Sequence, residues 1–161
     1  MRVRTILVGV DIAASPQEVW RTVEPIEDHV EWMHDAVAIR FATDQTRGVG
    51  TAMLVDTKIG PFRLTDHMTI TEWVENEVMG VAHTGVVTGT GRFTLRANDE
   101  GGTRFAWEEE LRFPWWLGGR LGAMVGGRFV LAGVWRRNLL RLKQLVEQAE
   151  TGPERAAGPG H

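Results

Sequence analysis

Apolar residues recur along this chain in two rhythms. From Arg4 to Ile12 they alternate, with Ile6, Val8, Val10 and Ile12 on one side, the two-residue period of a half-buried strand. The rhythm breaks at "SPQEVWRTV". There Ser15 is placed to cap a helix, Pro16 suits its first position and Glu18 closes a capping box. A second short helix is expected after Pro25, through "IEDHVEWM". Strand patterns follow near 36–43, 50–59, 62–74, 77–84, 87–97 and 103–113, separated by the turn-like segments "QTRG", "KIGP", "VENE", "HTGV" and "NDEGG". Strands this close in sequence pair as antiparallel hairpins. From about 118 to 149 the period lengthens, and Leu121, Met124, Val125, Ala132, Trp135, Leu139, Leu142 and Val146 fall on one face of a long amphipathic helix. Strand, two short helices, six strands and a long helix make one α+β domain over residues 1–149. The Pro/Gly-rich remainder, 150–161, is expected to be a disordered tail.

The stretch "LGGRLGAMVGGRFVLAGVW", residues 117–135, admits other readings. As a membrane span it would bury Arg128 at a cost of roughly 2.5–3.5 kcal/mol, and the amphipathic period runs on past it. It follows no strand in a phosphate-loop pattern and lacks the Gly-Lys-Ser/Thr ending. As a helix it has two oddities. Gly119, Gly122, Gly126 and Gly133 gather on one flank, where glycine is expected only if another element approaches closely. Arg128 falls in the middle of the apolar face.

Composition narrows the function classes. The chain has 161 residues, a formal charge of −3 and no cysteine, which excludes disulfides, thiolate metal sites and cysteine nucleophiles. Nothing in the charge balance points to nucleic acid. The first apolar stretch is too short and too alternating for a signal peptide, so a cytoplasmic protein is expected. His29 and His34 are five residues apart, a spacing that suits neither face of a helix, so no metal is expected, and no cofactor motif is present.

The segments "IAASPQEVWRTV" after the first strand, "HTGVVTGTGRFTL", "GGTRFAWEEEL" and the long terminal helix resemble the polyketide cyclase/dehydrase-like proteins of the START-like, birch-pollen-allergen-like (SRPBCC) superfamily. The resemblance covers about residues 3–148. It implies a helix-grip fold, in which a curved seven-stranded antiparallel sheet wraps a long C-terminal helix around an apolar cavity. It implies no single function, because such proteins include lipid carriers, hormone receptors, aromatase/cyclases and chaperone-stimulating modules. No family-wide catalytic motif carries over.

Strand parity therefore has to name the site. Inward positions are Phe105, Trp107, Leu111 and Phe113 with Glu109; Phe93 and Leu95 with Gly89 and Gly91; Met79 and Val81 with His83; and Leu64, Met68 and Ile70 with Asp66. A tight turn at "VENE" pairs Trp73 with Val78 and hence Met68 with His83, leaving Asp66 diagonal to His83. A turn centred on "DEG" sets Gly91 opposite Glu109. Asp66, His83 and Glu109 are then the inward polar residues, with Arg128 arriving from the helix.

Several roles stay open at this level. Glu109 and Arg128 form a structural pair, or Arg128 meets a ligand anion or reaches a rim. His83 is a satisfied core histidine or, with Glu109, a catalytic proton carrier. Trp32, Met33, His34 and Asp35 line one end of the cavity or cap the core. Trp115 and Trp116 gate the cavity or staple the helix. Candidate ligand contacts are Trp32, His34, Asp66, Met68, Phe93, Trp107, Met124 and Arg128. The leading reading is a non-catalytic cavity protein for a small lipophilic or aromatic molecule. A cyclase, aromatase or dehydratase using general acid–base chemistry ranks second. A protein-interaction module using the glycine flank with Val130 and Val134 ranks third, and a second copy of the chain is a candidate partner.

Overall fold

The computed structural model describes residues 3–114, 116 and 128–152, and of Val3, Arg4, Arg128 and Phe129 the backbone alone. Strand β1 (Val3–Ile12) leads into helix α1 (Pro16–Val23) and a 3-10 helix (Ile26–Glu31). Six strands follow: β2 (Ala36–Phe41), β3 (Ala52–Ile59), β4 (Phe62–Val74), β5 (Val78–Thr84), β6 (Thr88–Ala97) and β7 (Thr103–Arg112). Helix α2 (Arg128–Glu150) closes the described chain. The strands form one curved antiparallel sheet in the order β1-β7-β6-β5-β4-β3-β2, the helix-grip arrangement. Among the described residues no helix is long and apolar enough to cross a membrane.

Local chemistry accounts for the elements. Ser15 Oγ accepts from the Glu18 N–H at 3.3 Å and Glu18 Oε2 accepts from the Ser15 N–H at 2.7 Å, with Pro16 in the first turn. This satisfies amides that a helix start leaves without partners. Val19, Trp20 and Val23 then turn into the core. In β1 the alternation holds, with Ile6, Val8 and Ile12 buried. Helix α2 buries Leu131, Trp135, Leu139, Leu142 and Val146. Its indole at Trp135 stacks on Trp107 of β7 at 5.0 Å. Near its far end Lys143 Nζ donates to the Asp11 carbonyl at 2.8 Å, and Glu147 Oε1 accepts from the Ala13 N–H at 2.9 Å.

Asn138 sits in the middle of that stripe and is wholly buried. Its Nδ2 donates to Asp35 Oδ1 at 2.6 Å and its Oδ1 accepts from the His34 N–H at 3.0 Å. The amide thereby ties α2 to the junction between the 3-10 helix and β2, and both polar ends of this buried side chain find partners.

The β4–β5 register departs instructively from the expected one. Trp73 pairs with Met79, not Val78, because the turn is one residue looser and Asn76 adopts a left-handed φ of 66°. A bulge between Ile70 and Glu72 absorbs the extra residue, so Met68 still faces His83. Gly91 stands opposite Glu109 as expected. The glycine flank is corrected where it can be seen. Among the described residues a Cβ at Gly133 would meet nothing within 4 Å, so no described element presses on the helix there; Gly119, Gly122 and Gly126 lie outside the described residues. The tail from 153 onward lies outside them too.

Candidate functional site

The concave face of the sheet, the 3-10 helix and α2 enclose a cavity of about 520 Å³. Its walls are mostly aliphatic and aromatic: Met53, Val55, Met68 and Met79 from the middle strands, Phe93 and Trp107 from β6 and β7, Leu131 and Trp135 from α2. Phe93 is the hub of the aromatic wall, meeting Trp107 edge-on at 5.1 Å and Phe105 at 5.3 Å. Val86 and Trp116 also line the cavity and are 41 % and 60 % exposed.

Three polar side chains meet inside this wall. Asp66 on β4, His83 on β5 and Glu109 on β7 are all buried. His83 Nδ1 lies 2.6 Å from Asp66 Oδ2, and His83 Nε2 lies 3.0 Å from Glu109 Oε2. The second oxygen of Glu109 accepts from the Trp107 indole N–H at 2.9 Å, a contact that the two-residue strand period makes natural because residues 107 and 109 share a face. The second oxygen of Asp66 is buried and has no hydrogen-bond partner among the described residues.

The reach from His83 to Glu109 needs explanation, since β5 and β7 are not neighbours. Two strand spacings put their backbones about 10 Å apart, with β6 between. At the crossing β6 carries Gly91, directly opposite both Val81 and Glu109. A Cβ at Gly91 would sit 2.5 Å from Glu109 Oε1 and 2.7 Å from its carboxyl carbon. The carboxylate therefore lies across the space a side chain would fill, and only glycine permits the contact.

A carboxylate on each ring nitrogen means that both nitrogens carry protons, so His83 is an imidazolium. Burial alone would lower its pKa, but the hydrogen bonds and charges of Asp66 and Glu109 outweigh burial and raise it to about 10. His29, which also lines the cavity, goes the other way. Burial holds it at about 4, against the smaller opposing effect of its Nε2–H donating to the Val23 carbonyl at 2.7 Å.

These opposite shifts predict a stability optimum in pH. The unfolded value for both is 6.5. The folded chain holds the His83 proton that the unfolded chain has lost, so the stability it contributes is whole below 6.5 and drains away as pH rises through about 10. The His29 contribution is whole above 6.5 and is lost as pH falls toward about 4. Thermal melts across that range should peak near neutrality, with the alkaline fall flattened in His83→Leu and the acid fall flattened in His29→Phe. A melting temperature flat from neutrality to about pH 10 would contradict the imidazolium assignment.

The structure places the expected residues as follows. Asp66, Met68, His83, Phe93, Trp107 and Glu109 line one cavity. Trp32 and His34 do not line it. Trp32 is only 1 % exposed and lies behind the wall, against Phe93 and Trp107. The 3-10 helix ends at Glu31, and its cap turns that indole into the core. His34 is exposed and meets α2 only through its backbone N–H, while its neighbours Met33 and Asp35 line the cavity. Met124, Trp115 and the Arg128 side chain lie outside the described residues. Glu109 has partners that the pairing with Arg128 did not foresee, namely His83 and Trp107. Among the described residues no group of His, Asp and Glu is arranged to hold a metal ion. Of the surface suggested for protein contact, Val130 is exposed and Val134 is partly buried against the core.

Sequence reasoning missed Met53, Val55, Met79 as a wall residue, Leu131, Trp135 as a wall residue, His29 and Asn138. The signal was present for most. Met53 and Val55 alternate along β3 just as the named strands do, and Asn138 is a polar interruption three residues after Trp135 in the helical stripe.

Comparison with known proteins agrees with this architecture. The family model described as "Polyketide cyclase / dehydrase and lipid transport" matches residues 4–147. No curated protein sequence matches the chain. Among solved structures, a Thermus thermophilus protein superposes with a TM-score of 0.73 at 18 % identity, covering 91 % of this chain and 99 % of its own. A START superfamily protein from Mycobacterium smegmatis gives 0.70 at 15 %, covering 90 % and 98 %. The Zhui aromatase/cyclase of a Streptomyces species gives 0.68 at 17 %, covering 99 % and 100 %. At these identities the likeness is one of fold.

Proposed function

The chain belongs to the polyketide cyclase/dehydrase and lipid transport family, and from that premise we propose that it binds a small lipophilic or aromatic molecule in the cavity between sheet and α2, as a carrier or sensor. The observation that carries this reading is the cavity itself. Its volume of about 520 Å³ falls within the range of small-molecule sites, and its walls are apolar with a few convergent polar groups. Burying ligand surface there contributes about 25 cal/mol per Å², and the polar cluster sets orientation. Native mass spectrometry of freshly purified protein tests the proposal. An excess mass that is lost on denaturation is the expected result. A bare protein mass, together with no thermal shift from a panel of lipophilic compounds, would overturn it.

A second reading, a cyclase or aromatase, is favoured by one observation: a buried carboxylate–imidazolium–carboxylate array opens on an aromatic wall. In that reading Glu109 moves the proton. His83, with both N–H groups already donated, has no lone pair to accept one, and serves to fix the carboxylate's charge and position. Polyketide-like ligands recovered unchanged after incubation support the binder. Turnover that falls about 10²–10⁴-fold in Glu109→Gln would establish the enzyme.

A further inference from the structure

The polar cluster in the cavity can be sorted into donors and acceptors. Its donors are the two ring N–H groups of His83 and the indole N–H of Trp107, and all three are spent within the cluster. Its acceptors are the four carboxylate oxygens of Asp66 and Glu109. Each carboxylate oxygen accepts about two hydrogen bonds, whereas among the described residues three of these take one apiece and Asp66 Oδ1 takes none. The charges do not balance either: two carboxylates flank one imidazolium. Arg63, Arg92 and the half-buried Thr57 hydroxyl also line the cavity, but both arginines are exposed, Arg92 is committed to Glu72, and Thr57 carries no charge. Asp35 at the other end adds acceptor capacity, and its bond from Asn138 fills only part of it. His29, neutral and donating from Nε2 to Val23, keeps only an acceptor nitrogen on the rest of its ring.

We propose that the cavity selects lipophilic ligands whose polar group donates a hydrogen bond, a neutral alcohol or phenol, and rejects those that end in a carboxylate. This rests on the cavity being the ligand site. A hydroxyl meeting Glu109 or Asp66 makes a charge-assisted bond, among the stronger kinds in proteins. Among the described residues, a ligand carboxylate beside Glu109 and Asp66 meets acceptors and net negative charge in a medium that screens poorly.

Three ligands of one shape decide the matter by calorimetry at neutral pH: naphthalene, 1-naphthol and 1-naphthoate. Naphthol should bind more tightly than naphthalene, and at least about tenfold more tightly than naphthoate, a gap of about 1.4 kcal/mol. In Glu109→Gln, which supplies an amide donor and removes a charge, the naphthol-to-naphthoate ratio should shrink several-fold. If that variant fails to fold, the comparison on the unaltered protein still decides. Naphthoate binding as tightly as naphthol, with naphthalene also bound, would overturn the donor rule and leave the cavity reading standing. No binding of any of the three would overturn the cavity reading, and the donor rule with it.

Discussion

Replacing His83 with leucine is expected to cost about 3–5 kcal/mol of folding stability at neutral pH, the usual penalty for removing one member of a buried charge array. Leucine fills a similar space, so the loss is not one of packing. It arises because Asp66 and Glu109, both buried, would keep their charges and lose the cation between them. Two features separate this from an ordinary core defect. The penalty should shrink as pH falls, because each stranded carboxylate can take up a proton. It should also shrink when Glu109→Gln is added, because one of the stranded charges is then gone. Urea denaturation of the single and double variants measures both. A loss below about 1 kcal/mol, within the range of an ordinary substitution, would show that the array is not an ion network.

Valine at position 91 should destabilise by roughly 1–3 kcal/mol or more as an overpacked site. Its Cβ would stand 2.5 Å from Glu109 Oε1, so the carboxylate must leave its place across β6 and abandon His83. The cause is one side chain and not the backbone, so the cost should be conditional. In a Glu109→Ala background the same valine should be tolerated with most of its penalty gone, a coupling that a double-mutant cycle reads directly. Equal costs in the two backgrounds would place the strain elsewhere in β6.

The inward set of polar residues was legible because strand parity is rigid: a residue's face follows from its neighbours two positions away. That is how Glu109, among "EEE" in β7, could be told from Glu108 and Glu110, and how His83 could be told from His67. Register was less secure. The Met68–His83 pairing came out as expected although the turn did not, because the bulge near Thr71 returned the residue that the looser turn had taken. A bulge leaves little trace in a sequence, since it is a property of the pair and not of the strand. The partner of Glu109 was not legible either. Arg128 was the obvious cation by charge. A histidine counts as one only when its surroundings protonate it, and here those surroundings are two carboxylates from different strands. The error at Trp32 and His34 has a local cause. All four residues from Trp32 to Asp35 lie in the turn between the end of the 3-10 helix at Glu31 and β2, where no period assigns faces, and Met33 and Asp35 reach the cavity in place of their neighbours.

The claim that the space between sheet and α2 is a ligand site can be tested at atomic positions with the methionines. The chain has six, Met1, Met33, Met53, Met68, Met79 and Met124, and Met33, Met53, Met68 and Met79 line the cavity. With carbon-13 methyl labels and single Met→Leu variants for assignment, titration with a lipophilic ligand such as 1-naphthol should shift those four methyl resonances and give contacts from them to ligand protons. A ligand that binds at saturation while all four methyls stay unmoved would contradict the account.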